Sequence, residues 1–453
     1  MNIIIAGGGK VGITLARQLS AEKHDITLID SSQSVLDAGV ELLDIIAVQG
    51  NCASMSVLLR SGIRDADLLI AVTNADEVNL LCCTTAHGLN PKLHTIARIR
   101  NPEYLEQIHK MRDVFGLSMT INPEKQAAEE IRRLLRYPGF LRRDTFAKGR
   151  TEIVELRIDA ESKLCNVSLA DLAGVVKCRV LVCAVLRNGE AVAPRGNFVL
   201  RAGDRIFVTA PTENLSQMLR NLGIIARRAR RVLLCGGGRV SYYLSNLLDQ
   251  DGVSVQLIEN DPKRCRILAQ ELPNACIVCG DATDQSLLAH EGASSCDALV
   301  TLTGLDELNM IISLYGTSQG IPQVITKLGH AEDRRSIINS LSLGSIVSPK
   351  DLCCNNIIRY VRAMGNQTGA AISVHTIADG QVEAVEFVVD EHTPHCGTAL
   401  KDLKLKPNVL IAGITHGVTS QVPSGTSVFL PGDVVVIVTS GRGVLQQLGD
   451  IFA

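Results

Sequence analysis

Two short stretches of this chain have the residue types and spacing to hold an anion. The first, Gly7-x-Gly9-x-x-Gly12, with Gly8, Lys10 and Val11 between the glycines, follows the apolar run 2–6 and opens the helical stretch 10–22. In that setting the first glycine makes a tight turn, the second lets backbone approach a pyrophosphate, and the third lets helix and strand pack closely. The pyrophosphate would sit on amides at the helix N-terminus, where the helix dipole favours negative charge. Asp30 ends the next apolar run. Its carboxylate could accept hydrogen bonds from ribose hydroxyls and would repel a 2′-phosphate, which disfavours NADP. The second stretch, Gly236-Gly237-Gly238-Arg239-Val240-Ser241, has Glu259 where the first has Asp30. Ser241 replaces the third glycine, and a side chain there is expected to cost ~1–3 kcal/mol or push the helix outward.

Ligands of open α/β sheets lie beyond the carboxyl ends of the strands. Thr73-Asn74 and Thr303-Gly304 follow the fourth apolar run of each region, so they should face the same crevice as the glycine loops. Arg98 and Lys327 follow the next run. Arg98 could grip a phosphate bidentately, whereas Lys327 could act only as a point charge.

These residues recur at a nearly constant offset of 226 to 230 positions. Gly7, Asp30, Gly50, Thr73, Asp76, Glu77, Asn79, Arg98 and Pro123 are answered by Gly236, Glu259, Gly280, Thr303, Asp306, Glu307, Asn309, Lys327 and Pro349. Farther on, Pro194, Gly203 and Asp204 are answered by Pro423, Gly432 and Asp433. A register held this long means duplication. Within each copy, strand-sized runs first alternate with helical stretches: strands 2–6, 26–30, 45–49 and 67–71, helices 10–22, 33–42 and 54–61. Such alternation predicts a parallel sheet with helical crossovers. Strands 152–157, 180–186 and 205–209, with a helix at 212–222, then predict a small α+β unit. The fold class is α/β: a tandem duplication of a Rossmann-like doubly wound parallel-sheet domain, each copy followed by a small α+β domain. The expected boundaries are 1–145, 146–226, 229–366 and 367–453. The basic run 227–231 reads as a solvated linker, with contact to acidic phospholipid or a partner as the other reading.

Composition narrows the function. The chain has 453 residues, 46% hydrophobic and 20% charged, with a net charge of -2, which argues against disorder and against a nucleic-acid partner. Fourteen cysteines with no recognisable secretion signal point to a reducing compartment. No apolar run reaches the ~18 residues needed to span a bilayer, so membrane attachment is expected to run through a partner.

Several motifs resemble the regulator-of-potassium-conductance (RCK, or KTN) domain. They are the glycine loop with Asp30, Gly50-Asn51-Cys52-Ala53, Thr73–Asn79, Ala97-Arg98, Cys279–Thr283 and Thr303–Asn309. Residues 122–135 with Pro138-Gly139 resemble the helix that crosses to a neighbouring RCK domain, and their stripe Ala127, Ala128, Ile131, Leu134 and Leu135 needs covering. The smaller units, with Asn188-Gly189, Pro194 and Gly203-Asp204 answered by His416-Gly417, Pro423 and Gly432-Asp433, resemble the RCK C-terminal (TrkA-C) domain. Two such pairs in one chain is the arrangement of the TrkA family of Trk-system regulators. The resemblance implies a cytoplasmic protein, peripheral on the inner face of the inner membrane. It implies binding of NAD or NADH, or else ATP or ADP. It also implies assembly as a homo-oligomer, a tetrameric gating ring, on a Trk-type potassium-translocating membrane subunit. The first site would comprise Gly7 to Val11, Asp30, Thr73, Asn74 and Arg98. The second would comprise Gly236 to Val240, Glu259, Thr303, Gly304 and Lys327. Asn51 in the first copy and Ser241 in the second depart from the family pattern.

Three other chemistries are weaker. An NAD-dependent dehydrogenase needs a proton-transfer group aimed at the nicotinamide, and the His and Asp residues of the small units recur only as Asp204 and Asp433, in Gly-Asp turns. No catalytic residue is therefore assigned. His392-x-x-His395-Cys396 has no second ligand cluster, so no metal site is assigned. Cys276-x-x-Cys279 lies on an expected strand, where positions i and i+3 face opposite sides.

Overall fold

The computed structural model describes all residues except 137–139, 224–228, 330–340, 342, 365–370, 441–444 and 446. Pro138-Gly139, Arg227-Arg228 and the expected boundaries at 226 and 366–367 lie outside the described residues.

The first parallel sheet uses β1 (Asn2–Ala6), β2 (Asp25–Asp30), β3 (Ile46–Gln49), β4 (Leu68–Ala71), β5 (His94–Arg98) and β6 (Met119–Ile121), in the order β3-β2-β1-β4-β5-β6. The crossovers are α1 (Lys10–Ala21), α2 (Gln33–Leu42), α3 (Met55–Arg60), α4 (Asp76–Leu89) and α5 (Pro102–Met111), and α6 (Pro123–Arg136) follows. Strands such as β4, Leu-Leu-Ile-Ala, are buried at every position, as expected where helices cover both faces of a sheet. The order reverses between β1 and its neighbours β2 and β4, and that is the switch point where a crevice opens.

The second parallel sheet repeats this with β12 (Arg231–Cys235), β13 (Ser254–Glu259), β14 (Cys276–Cys279), β15 (Ala298–Thr301), β16 (Gln323–Lys327) and β17 (Ser345–Val347), ordered β14-β13-β12-β15-β16-β17. The small units are antiparallel. The first contains β7 (Arg142–Phe146), β8 (Thr151–Arg157), β9 (Leu181–Arg187), β10 (Glu190–Val192) and β11 (Arg205–Pro211). The second contains β18 (Ala371–Ile377), β19 (Val382–Val388), β20 (Val409–His416), β21 (Thr419–Gln421) and β22 (Val434–Thr439). Their orders, β10-β9-β11-β8-β7 and β18-β19-β22-β20-β21, are the same arrangement read from opposite ends. Strands β7 and β18 were not anticipated from sequence. β7 carries Arg142, Arg143 and Asp144, too polar to read as a buried strand.

The chain forms two compact units that cut across the sequence copies. One comprises Met1–Ala127 with Pro349–Ile358, the other Ala128–Ser348 with Arg359–Ala453. Within the second unit, the end of α6 lies on the second parallel sheet: Gln323 donates to the Leu134 carbonyl at 2.8 Å. Arg132 and Arg136 both grip Asp251, at 2.5 and 2.8 Å. The expected apolar stripe of α6 is buried. In the same unit the two small sheets share a core that includes Phe146, Phe207, Ile377 and Val436, flanked by the ion pair Arg205–Asp379 at 2.8 Å and by a hydrogen bond between His375 and Asp144 at 3.0 Å. Within the first unit, the start of the helix Pro349–Met364 packs on the first glycine loop, with Cys354 Sγ 3.9 Å from the Val11 carbonyl.

Asp251 is the acceptor for two guanidinium groups, and hydrogen bonds from Arg132 first, then Arg136, hold its carboxyl well below the usual carboxylate range. Asp251→Ala should destabilise the second unit by roughly 1–3 kcal/mol, the scale of hydrogen bonds to a charged group. A group whose folded pKa is depressed contributes stability above its unfolded pKa and loses it as pH falls. The difference between wild type and Asp251→Ala in urea unfolding should therefore be full at pH 7 and shrink below about pH 4.

Candidate functional site

The first glycine loop runs from β1 into α1 across a backbone that only glycine tolerates at its start. Gly7 has φ of 107°, and a Cβ there would lie 2.9 Å from the Thr73 amide. Gly236 in the second copy has the same φ of 107°, and a Cβ there would lie 2.8 Å from the Thr303 amide. Gly9 and Gly238 have nothing within 4 Å of where a Cβ would be, so the loop faces open space there. Both are helix N-caps without a side-chain cap, and neither α1 nor α9 (Arg239–Gln250) has an acidic residue in its first turn. Each helix therefore presents bare amides and the positive end of its dipole to the crevice.

The carboxylates expected at the ribose do a structural job as well. Asp30 accepts from the Gly8 amide at 2.7 Å and the Ser32 amide at 2.8 Å. Glu259 accepts from the Gly237 amide at 2.6 Å and the Asp261 amide at 2.9 Å. Two oxygens with about four acceptor positions leave room for ribose hydroxyls in both cases.

The far wall is built by an asparagine to which no role was assigned from sequence. Asn79, in α4 and fully buried, accepts from the Thr73 amide at 2.9 Å and the Thr73 hydroxyl at 2.7 Å. It donates to the Arg98 carbonyl at 2.8 Å. Asn309, in α12 (Asp306–Ser318), repeats this with Thr303 and with the Lys327 carbonyl at 3.0 Å. Asp76 and Asp306 anchor the next turn, accepting from Arg100 N at 2.8 Å and Gly329 N at 2.9 Å. The recurrence of Asn79 and Asp76 in the second copy was the available signal.

Arg98 ends β5 and is buried to 9% exposure. One Nη donates to the Thr73 carbonyl at 2.6 Å and the Asn74 side chain at 3.2 Å, while Nε is buried with no partner. Burial, and then the neighbouring Arg100, draw its pKa down from the usual arginine value, yet a guanidinium remains charged. Lys327 instead reaches the Leu302 carbonyl at 3.2 Å. The first site thus gathers Gly7 to Val11, Asp30, Thr73, Asn74 and Arg98 at one end of the first parallel sheet. The second gathers Gly236 to Val240, Glu259, Thr303, Gly304 and Lys327 at the matching end of the other. A buried, partly orphaned guanidinium and an uncapped helix N-terminus fit a phosphate-bearing ligand.

Ser241 does not sit as a mere intrusion: it is fully buried and its hydroxyl donates to the Gly236 carbonyl, which offsets the crowding expected from sequence. Asn51 and Asp281 close equivalent turns, accepting from the amides of Ala53 at 3.0 Å and Thr283 at 2.8 Å. Cys276 and Cys279 lie on strand β14 and are exposed, and His395 stacks edge-on against Phe452. Among the described residues no group of three or more His, Cys, Asp or Glu could hold a metal ion, and no helix is long and apolar enough to cross a membrane.

The TrkA-N domain model matches residues 3–123 and 232–349, and the TrkA-C domain model matches 153–223 and 384–452. A Trk system potassium uptake protein TrkA homolog of Archaeoglobus fulgidus is 35% identical over 94% of this chain and 94% of its own length. The Trk system potassium uptake protein TrkA of Haemophilus influenzae is 32% identical over 100% of this chain and 98% of its own. Among solved structures, the GsuK RCK domain aligns with a TM-score of 0.60 at 15% identity, covering 96% of this chain and 92% of that one. The GsuK channel bound to NAD aligns with a TM-score of 0.60 at 16% identity, covering 97% of this chain and 76% of that one. At these identities the likeness is one of fold.

Truncating Asn79→Ala would orphan buried groups on Thr73 and Arg98 at about 1–3 kcal/mol each. The variant should lose at least about 2 kcal/mol in urea unfolding, whereas Asn51→Ala, at an exposed turn, should lose under about 1 kcal/mol.

Proposed function

The chain belongs to the TrkA family of Trk-system potassium-uptake proteins, and from that premise we propose that it is the nucleotide-sensing regulatory subunit that gates a potassium-translocating membrane subunit. The observation that carries this reading is the pair of glycine loops with open helix N-termini, the first packed on Thr73, to whose carbonyl the buried, partly unpartnered Arg98 donates. The ligand is NAD or NADH, or an adenine nucleotide, bound by the eighteen residues named from sequence. The GsuK channel's NAD complex supports a dinucleotide. The proposed domains run 1–145, 146–226, 229–366 and 367–453.

The protein binds its nucleotide without turning it over. The strand-end carboxylates beside each loop are engaged by backbone amides. Binding energy is available instead for reshaping the loop and the helix segment packed on it. In the first unit that segment is 349–358, which meets the loop at Val11.

Assembly is proposed as a homo-oligomer, a tetramer presenting eight Rossmann-like domains. Leu81 on α4 and Ile311 on α12 occupy equivalent positions and are 57% and 56% exposed. Matched apolar side chains in solvent suit a repeated contact between copies. The assembled protein sits on the cytoplasmic face of the membrane, held by the translocating subunit.

The two sites are not equivalent. The first has the bidentate-capable Arg98 and the glycine at position 12; the second has Lys327, Ser241 and the additional carboxylate Asp281. Calorimetry with NAD, NADH, ATP and ADP should resolve two affinities, the tighter at the first site. Asp30→Ala should abolish the tight phase, and Glu259→Ala should leave it within about threefold, a difference under 1 kcal/mol. Two equal sites weakened alike, or sustained NADH oxidation or ATP hydrolysis at enzymatic rates, would overturn the reading.

Light scattering at micromolar concentration should give a mass near four chains, and a Leu81→Glu, Ile311→Glu double variant should give a smaller species. In cell fractionation the protein should reach the membrane pellet only when the potassium-translocating subunit is co-expressed. Equal recovery without it would exclude attachment through that partner.

A further inference from the structure

The ribose corners of the two loops differ at the third position of the helix that follows the strand-end carboxylate. Val35 is the third residue of α2 and lies over Gly8. Its counterpart is Arg264, the third residue of α10 (Pro262–Glu271). Arg264 Nε donates to the Gly237 carbonyl at 2.9 Å, which fixes the guanidinium against the second glycine loop. Its Nη1 is 3.8 Å from Glu271 Oε2, a loose contact, and Nη2 has no hydrogen-bond partner among the described residues. The side chain keeps 31% of its surface exposed, so part of it remains open to solvent beside the loop it braces.

Both carboxylates are turned into backbone. Asp30 is held by Gly8 and Ser32, and Glu259 by Gly237 and Asp261. The first corner therefore presents a carboxylate held by backbone amides, with Arg60 on the Gln49 carbonyl of the neighbouring strand, while the second presents a carboxylate with a guanidinium braced beside the same loop. In Rossmann folds an acidic residue at this place selects a free ribose 2′-hydroxyl, and a nearby arginine accommodates a 2′-phosphate.

We propose that Arg264 makes the second site accept a 2′-phosphorylated dinucleotide, NADP(H), alongside NAD(H), while the first site takes NAD(H) alone. The inference rests on the nucleotide-binding reading above. The guanidinium supplies charge-assisted hydrogen bonds to the 2′-phosphate from Nη2 and Nη1, and it screens that phosphate from Glu259. Val35 offers the first site neither. A regulator built this way reads two dinucleotide pools with one chain.

The test uses the full-length protein and the fluorescence of NADH and NADPH, with unlabelled NADP as competitor. Wild type should bind two equivalents of NADH and one of NADPH per chain. Arg264→Val should weaken NADPH by at least about tenfold and leave both NADH equivalents within about threefold. Arg264→Lys should retain part of the NADPH affinity, and Val35→Arg should add a second NADPH equivalent. A thermal melt of each variant checks that the fold is kept. A purely structural brace on the loop would lower the melt and weaken NADH and NADPH alike at the second site, which would overturn the proposal. NADH binding at both sites with no NADPH binding, or NADPH affinity indifferent to Arg264, would overturn it while leaving the nucleotide-binding reading intact. Failure of NAD(H), ATP and ADP to bind at all would remove that reading, and this inference with it.

Discussion

The structure depends on one constraint: backbone amides at the start of α1 and α9 have no partner inside their own helices. A helix leaves its first N–H groups unsatisfied, and Gly9 and Gly238 offer no side chain to cap them. The chain prevents collapse of this open end by tying the preceding glycine amide to a strand-end carboxylate, Gly8 to Asp30 and Gly237 to Glu259. The loop is thereby held while its outer amides remain available to an anion. Positive φ at Gly7 and Gly236 follows from the same demand, because the Thr73 and Thr303 amides leave no space for a Cβ.

The opposite wall uses buried amide chemistry. Asn79 and Asn309 each satisfy a threonine at the end of the fourth strand and a carbonyl at the end of the fifth. A fully paired polar side chain in a dry core fixes both strand ends at once. Arg98 then lies over this frame with its Nε unsatisfied, a cost the fold sustains at the place where an anionic ligand would relieve it. Segment 349–358 touches the first loop at Val11, so a ligand bound there would have a packed helix to act upon.

Much of this was legible in the sequence because it is local. Strand and helix periods placed most elements within a residue or two, and the glycine loop carries its geometry in its own spacing. The repeat doubled every signal: Asp30 and Glu259, or Thr73 and Thr303, are unremarkable singly and informative as pairs. Strand β7 escaped because Arg142, Arg143 and Asp144 read as solvent-facing, whereas Arg143 pairs with Glu152 and Asp144 pairs with His375, more than two hundred residues away.

The sequence by itself determined the duplication and the alternation that makes a parallel sheet, and it nominated the residues proposed to meet a phosphate, since these follow from composition and spacing along the chain. Tertiary structure decided what those residues were free to do. Ser241 became a hydrogen-bond donor to its own loop, Asn79 became the pin of the crevice wall, and Arg264 came to rest on Gly237 rather than in solvent. The apolar stripe of α6 was evident in its spacing, but that its end lies on the second copy's sheet, with Arg132 and Arg136 closed on Asp251, was not. The physical reason is that hydrogen bonding and burial are satisfied between groups brought together by the fold, and no local pattern states which distant partner will satisfy them.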